Sequence, residues 1–179
     1  MSTSENLDPG VERVREFHIA FNVPMGAHPH VPYLPPADRS FLESHVSQLE
    51  TLAIQLKAQA AEANGLGRLN LAAILVRLQL DIEETAELFR AVVNDDIFEV
   101  LDALTDKTYV TNGTYLTFGL GEVKLAADLE VHRSNMSKLG PDGRPMLHAS
   151  GRVIKGPNYS PPNLAKVLDD HAKGKSGDG

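Results

Sequence analysis

The chain has no cysteine. This absence excludes disulfide bridges, thiolate zinc sites and cysteine nucleophiles. Also missing is any run of about 18 apolar residues, the length that a membrane-spanning helix needs, and the first ten residues, MSTSENLDPG, lack the apolar core of a signal peptide. We therefore expect a cytoplasmic protein that has no membrane partner.

Clustered positive charge is absent too. The formal net charge is -7 at pH 7, and the chain contains no basic run. Nucleic acids and anionic membranes bind surfaces rich in Lys and Arg, so we expect no nucleic-acid partner. A small anionic ligand stays open, provided that a few cations converge locally. The length of 179 residues and the hydrophobic content of 42% fit one domain.

Hydrophobic periodicity predicts an all-α fold, because no segment alternates like a strand. A capping box at Ser40 and Glu43 marks the start of one long helix, and Asn64-Gly65 marks its end. We predict an N-terminal region with a short helix and an extended Pro-rich arm, a helical domain, and a disordered tail. These three regions cover residues 1–39, 40–165 and 166–179. Helices are expected near residues 11–20, 40–64, 71–92, 97–118 and 122–137.

Two rows of acidic residues stand on two consecutive predicted helices. The first is in the run DIEETAELFR, where Glu84 and Glu87 lie one turn apart beside the apolar stripe. Asn94-Asp95-Asp96 supplies a turn and an N-cap, so the next helix folds back antiparallel to the first. It carries the second row, whose members are three and four residues apart: Glu99, Asp102 and Asp106.

The distance of each row from this turn predicts which carboxylates face each other. Glu84 and Glu87 lie on average about nine residues before the turn, and Asp102 and Asp106 about nine and a half after it. Glu99 and Asp102 average only about six residues after it. The spacing therefore favours Asp102 and Asp106 as the facing pair, with Glu99 nearer the turn.

Carboxylates that converge between packed helices repel one another unless a cation lies among them. Mg²⁺ and Mn²⁺ are the natural choice, because they prefer oxygen ligands and are commonly shared with phosphate groups. Lys107 is another source of positive charge, and a solvated acidic face is the alternative for any single pair. A di-iron bundle would need Glu-x-x-His pairs, and none occurs between residues 81 and 111.

The run Glu83-Glu84-x-x-Glu87, followed by EVLDALTDKTYVTNGTYLTFG, resembles the MazG-like all-α nucleoside triphosphate pyrophosphohydrolases. This superfamily includes phosphoribosyl-ATP pyrophosphohydrolases and dimeric dUTPases, and the resemblance covers roughly residues 70–165. The second acidic motif departs from the pattern. The family's Glu-x-x-Asp motif can be aligned with Glu99-x-x-Asp102. Alternatively, its Asp can be aligned with Asp106, which leaves Ala103 where a Glu is expected.

The resemblance implies a helical bundle completed by dimerisation, with an irregular C-terminal loop region. It also implies hydrolysis between the α- and β-phosphates, to give a nucleoside monophosphate and pyrophosphate. Two or three Mg²⁺ or Mn²⁺ ions would assist at each site. Glu83 and Glu84 would be catalytic, and Glu83 would orient or deprotonate the attacking water or help to hold an additional ion. The implied metal ligands are Glu84, Glu87, Glu99, Asp102 and Asp106.

Two further runs, EVHRSNMSKLG and GRVIKGPNYSPPN, are similar to a subgroup in which a loop closes over the substrate. Their cations suit phosphate oxygens, and the amide of Asn135 suits a base or sugar. Tyr159 is as well suited to packing as to stacking. The implied substrate-binding residues are Asn112, Arg133, Asn135, Lys138, Arg152, Lys155 and Tyr159.

The expected substrate is a nucleoside triphosphate, with a guanine nucleotide such as dGTP or GTP favoured by the overall resemblance. A dUTP-specific or broadly acting house-cleaning enzyme of the same fold is the alternative. A different class, a non-catalytic helical module that binds a nucleotide or a partner, also stays open. The resemblance implies a homodimer and leaves a tetramer open.

Overall fold

The computed structural model describes residues 7–148 and 152–176. Within these ranges the regular structure is entirely helical, which confirms the predicted all-α class, and the only strand-like pairings are two isolated β-bridges. No helix in the described part is long and apolar enough to cross a bilayer. The helices are α1 (Pro9–Phe21), α2 (Pro36–Gly65), α3 (Leu69–Asn94), α4 (Ile97–Thr117), α5 (Lys124–Met136) and α6 (Leu164–Ser176), with a 3₁₀ turn at Gly121–Val123.

The chain forms two compact units. The three-helix unit runs from Gly26 to Gly121 and contains α2, α3 and α4. The terminal unit consists of the described residues before and after it, and contains α1, α5 and α6. All the predicted carboxylate ligands belong to the three-helix unit.

Small side chains fill the contacts within the three-helix unit. Helix α3 packs against α2 on one side and against α4 on the other. Because short side chains let helix axes approach closely, the alanines allow these helices to meet along their backbones, and Val46, Val93 and Val110 are buried with them. The buried alanines are Ala53, Ala60, Ala63, Ala72, Ala86, Ala91 and Ala103.

The turn between α3 and α4 forms as the sequence predicted. Asp95 takes a left-handed backbone conformation with φ of 59°, which closes α3. The carboxylate of Asp96 then accepts hydrogen bonds from the backbone N–H groups of Phe98 and Glu99, at 3.0 and 3.2 Å. It therefore caps the first turn of α4. Arg39 donates to the carbonyl of Val93 and so ties the start of α2 to the end of α3.

The start of α2 differs from the prediction. The helix begins at Pro36, four residues before the capping box that the sequence indicated, and its N-cap residue Pro35 makes no side-chain cap. Proline suits a first helical position, because it has no N–H to leave unsatisfied and its φ is already helical. The extended arm therefore ends earlier than residue 39.

Helix α6 occupies most of the segment that was predicted to be a disordered tail. That prediction is wrong for residues 166–176, which are helical, whereas residues 177–179 lie outside the described residues. Asn163 accepts a hydrogen bond from the backbone N–H of Lys166 at 3.0 Å and caps the helix. Within the terminal unit, α1 also contacts α5, where His132 lies 3.0 Å from Glu16.

Candidate active site

The carboxylates of α3 point to two different neighbours. Glu83 lines a groove between α2 and α3. Glu84 lies toward α4, where the negative charges of Asp106 and Asp102 act on it. Glu87 lies between these directions, because it lines the groove and its charge also acts on Glu84. We call Glu83, Glu84, Glu87, Asp102 and Asp106 the carboxylate cluster.

Glu84 is partly buried and lies among the other carboxylates of the cluster. Burial raises the pKa of its carboxyl above the usual value, and the nearby charges of Glu87, Asp106, Glu83 and Asp102 raise it further. Its Oε2 atom is buried and has no hydrogen-bond partner in the described part of the chain. Because an unsatisfied buried oxygen is costly, Glu84 is the residue of the cluster whose environment most favours a cation.

The second row is more exposed than the first. Asp102, Asp106 and Glu99 are all solvent-exposed on α4, and Glu99 is not among the charges that raise the pKa of Glu84. Asp106 and Asp102, the α4 carboxylates that the spacing favours as the facing pair, are those whose charges raise the pKa of Glu84. No three His, Asp or Glu side chains of the described residues are already grouped closely enough to hold a metal ion. A metal site here would require the cluster to close around the ion.

The ammonium of Lys107 is hydrogen-bonded to Asp81 and Thr85 rather than to Glu84. Its Nζ donates to Asp81 Oδ1 at 2.9 Å and to Thr85 Oγ1 at 2.7 Å, which ties α4 to the flank of α3. The alternative in which this lysine neutralises the acidic rows therefore finds no support in its contacts.

The groove between α2 and α3 contains residues that sequence reasoning missed. Gln79 is only 5% exposed, and its amide Nε2 donates to Glu83 Oε2 at 2.6 Å. Lys57 lines the same groove, whose volume is about 260 Å³. Arg90 also lines it and is ion-paired with Glu50. Gln79 could have been noticed as a polar residue on the apolar stripe of α3, one turn before Glu83.

Two cations predicted to bind phosphate have partners within the terminal unit. The guanidinium of Arg133 donates twice to Glu130, at 2.8 Å each, and once to the carbonyl of Pro161 at 3.1 Å. Lys138 donates to Asn135 Oδ1 at 2.7 Å, which joins two of the predicted substrate-binding residues directly. These contacts fix the end of α5 and the loop after it.

The remaining predicted substrate-binding residues are at or near the surface. Lys155 lies 4.2 Å from the ring centre of Tyr159, in a cation–π contact. Arg152 is exposed, and its carbonyl accepts a hydrogen bond from the backbone of His148. Asn112 is exposed on α4. The structure therefore brings together Asn135 with Lys138 and Lys155 with Tyr159.

The three-helix unit is all-α, and the acidic side chains of two consecutive helices, α3 and α4, lie near one another. Residues 50–135, which contain these helices, match the family described as phosphoribosyl-ATP pyrophosphohydrolase. The chain is also similar to the crystal structure of a candidate NTP pyrophosphohydrolase from Exiguobacterium sp. 255-15. The TM-score is 0.54 and the identity 24%, and the match covers 95% of this chain and 99% of that one.

The family match over residues 50–135 supports the superfamily that the acidic motifs indicated, and the structural likeness supports its all-α fold. No curated protein matches the chain.

Proposed function

We propose that this protein is a metal-dependent nucleoside triphosphate pyrophosphohydrolase. It cleaves between the α- and β-phosphates and releases a nucleoside monophosphate and pyrophosphate. The observation that carries the proposal is the environment of Glu84, whose buried Oε2 lacks a partner while four further carboxylates raise its pKa. The family name and the name of the structural relative agree with this reaction class.

The donor set fits a hard divalent cation. Mg²⁺ and Mn²⁺ prefer carboxylate oxygens, and Glu84, Glu87, Asp102 and Asp106 supply only such oxygens, with Glu99 as an alternate. Two or three ions per site are proposed, as in other phosphoryl-transfer sites. When bound, such ions neutralise phosphate charge and make a water molecule a better nucleophile.

Glu83 is proposed to orient the attacking water and to accept its proton. Its position is fixed by Gln79, whose buried amide donates to Oε2 and leaves Oε1 for the water. A base that is held in one orientation loses little entropy when it acts. Gln79 is therefore a positioning residue for Glu83.

The preferred substrate is proposed to be a guanine nucleotide, with dUTP next. The support for this order is the overall sequence resemblance alone. A panel of substrates decides it, and the panel should include phosphoribosyl-ATP because the matched family is named for it.

The direct experiment measures pyrophosphate release from this panel in the presence of Mg²⁺ or Mn²⁺. Glu84→Gln removes one charged ligand and should lower the rate by roughly 100-fold or more. Glu43→Gln, an exposed glutamate of α2, is the matched control and should leave the rate unchanged. Full activity in Glu84→Gln, or no pyrophosphate release by the wild type from any substrate, would refute the proposal and leave a non-catalytic binding module.

We also propose that the protein acts as a homodimer. An exposed apolar stripe follows the outer face of α4, and Phe98, Leu101 and Tyr109 on it are 80%, 64% and 80% exposed. Asp102 and Asp106 lie on the adjacent flank at ~100° per residue. A second copy that covered the stripe would remove this apolar surface from water and would also shield the carboxylate cluster. A tetramer would build on the same contact.

A further inference from the structure

We infer that the groove between α2 and α3 is a subsite for the phosphates that leave as pyrophosphate, and that Lys57 binds their oxygens. This inference rests on the proposed function, because it names where part of that substrate would bind. Nothing in the sequence motifs singled out Lys57.

Small side chains on facing helices open the groove. Ala53 of α2 and Ala86 of α3 are buried, with 7% and 2% of their surface exposed, and they form its base. Longer polar side chains rise on both walls. The groove is lined by Glu50, Ala53, Ile54 and Lys57 of α2 and by Gln79, Glu83, Ala86, Glu87 and Arg90 of α3.

Most of the charged groups in the groove already have partners. Arg90 is ion-paired with Glu50, and Glu83 accepts the hydrogen bond from Gln79. Lys57 is exposed. No ion pair or hydrogen bond joins its ammonium to a residue in the described ranges. The groove therefore offers an uncommitted cation on the α2 wall and the carboxylate of Glu87 on the α3 wall.

A ligand that satisfies both walls must carry charge of both signs. Glu87 belongs to the groove and to the carboxylate cluster, so it would face a cation. Lys57 would face an anion. Pyrophosphate chelated to a divalent ion meets both needs, because its metal side suits Glu87 and its outer oxygens suit a lysine ammonium.

The size of the groove agrees with this occupant. Its volume of about 260 Å³ lies below the roughly 300–1,000 Å³ of pockets that enclose a whole ligand. It is suited to phosphate groups rather than to a complete nucleotide.

The test is calorimetric titration with pyrophosphate in the presence of Mn²⁺. Lys57→Met should weaken binding by about tenfold or more, because it removes a charged hydrogen-bond donor. Lys57→Arg should restore most of it. Lys173→Met, which removes an exposed lysine of α6, should bind like the wild type. Circular dichroism and thermal unfolding verify that the variants are folded, and titration with Mn²⁺ alone should be unaffected by Lys57→Met.

Each other outcome decides against the subsite. Equal binding by the wild type and Lys57→Met would overturn it, as would equal losses in Lys57→Met and Lys173→Met, or no binding of manganese pyrophosphate by the wild type. The proposed function fails separately. If the wild type binds manganese pyrophosphate through Lys57 but cleaves no nucleotide, the subsite stands and the proposed activity is refuted. If the wild type cleaves nucleotides and Lys57→Met has the same KM, the activity stands and the subsite is refuted.

Discussion

The carboxylate of Glu130 on α5 holds the side chain of Arg133 and the backbone that precedes α6. Glu130 accepts two hydrogen bonds from Arg133 and one from the backbone N–H of Asn163, at 2.7 to 2.8 Å. These bonds lower the pKa of Glu130 to about 2, and the hydrogen bond from Arg133 contributes most. Glu130 and Arg133 together anchor the chain that leads into α6. Arg133, predicted to bind phosphate, thus has a clear structural role.

The sign of this pKa shift gives a pH prediction. Folding lowers the pKa of Glu130, so its carboxylate stabilises the fold at any pH above the pKa of the unfolded state, which is 4.5. This stabilisation is lost as the pH falls toward the folded-state pKa of about 2. Glu130→Gln should therefore have a lower melting temperature than the wild type at pH 7. The difference should shrink as pH falls below 4.5. Thermal unfolding of both proteins at pH 7, 5, 4 and 3.5 measures it, and a difference that widens with acidification would contradict this assignment.

At the scale of elements, the loop after α5 is attached to the last turns of that helix by a series of hydrogen bonds. The backbone N–H of Gly156 donates to the carbonyl of Lys138 at 3.1 Å, and that of Ser160 donates to Ser137 Oγ at 2.9 Å. Gly156 is buried, and a Cβ atom there would lie 2.5 Å from the carbonyl oxygen of Leu139. Only glycine allows this approach, because the obstacle is backbone and cannot rotate away.

Gly156→Ala should therefore destabilise the protein by about 1–3 kcal/mol, as overpacking of a tight contact does. Gly174→Ala is the matched control, because a Cβ at that position in α6 meets no atom within 4 Å. Alanine there should stabilise the helix by roughly 0.5–1 kcal/mol. Chemical denaturation of both variants measures the two effects, and equal stabilities would show that the loop is not held by this contact.

Some elements could be predicted from the sequence because the residues that form them are neighbours in the chain. The α3–α4 hairpin was predicted because Asp95 and Asp96 form the turn and the cap by themselves, and the facing of the two acidic rows follows from helix geometry. Helix α6 was missed although its signals exist: Asn163 is a cap residue, and Leu164, Val167, Leu168 and His171 recur at helical spacing. The prediction gave more weight to the Gly-rich and charged composition of the last residues, which is typical of disordered segments.

The site residues that escaped prediction depend on tertiary contacts. Gln79 matters because it is buried beside Glu83, and Lys57 matters because alanines of two helices open a groove beneath it. The sequence shows Gln79 only as a polar residue on the apolar stripe of α3, without its contact to Glu83, and it gives no sign of the groove beside Lys57. The partner of Arg133 could have been suspected, since Glu130 is three residues away on the same helix.

For the whole molecule, the described fold leaves many large apolar side chains exposed to water. No side chain in the described part is fully buried, whereas Phe98, Leu101, Tyr109 and Leu116 of α4 are all more than 60% exposed. Alanines form much of the monomer's core. A fold of this kind gains stability when a second copy covers the exposed stripe.

Leu101→Glu should therefore convert the proposed dimer to a monomer, because a partner would bury an unpaired charge. Leu168→Glu, on α6 and 48% exposed, should leave the dimer intact. Size-exclusion chromatography with light scattering measures both. A wild type that is monomeric at tens of micromolar would contradict the dimer.

Binding of Mn²⁺ tests the central claim most directly, namely that carboxylates from α3 and α4 hold a divalent ion for a polyphosphate. Electron paramagnetic resonance can count the Mn²⁺ ions bound with and without a nucleotide that cannot be cleaved between its α- and β-phosphates. The account predicts saturable binding that the nucleotide strengthens and that Glu84→Gln weakens by about tenfold or more. No Mn²⁺ binding by the wild type, with the nucleotide present, would contradict it.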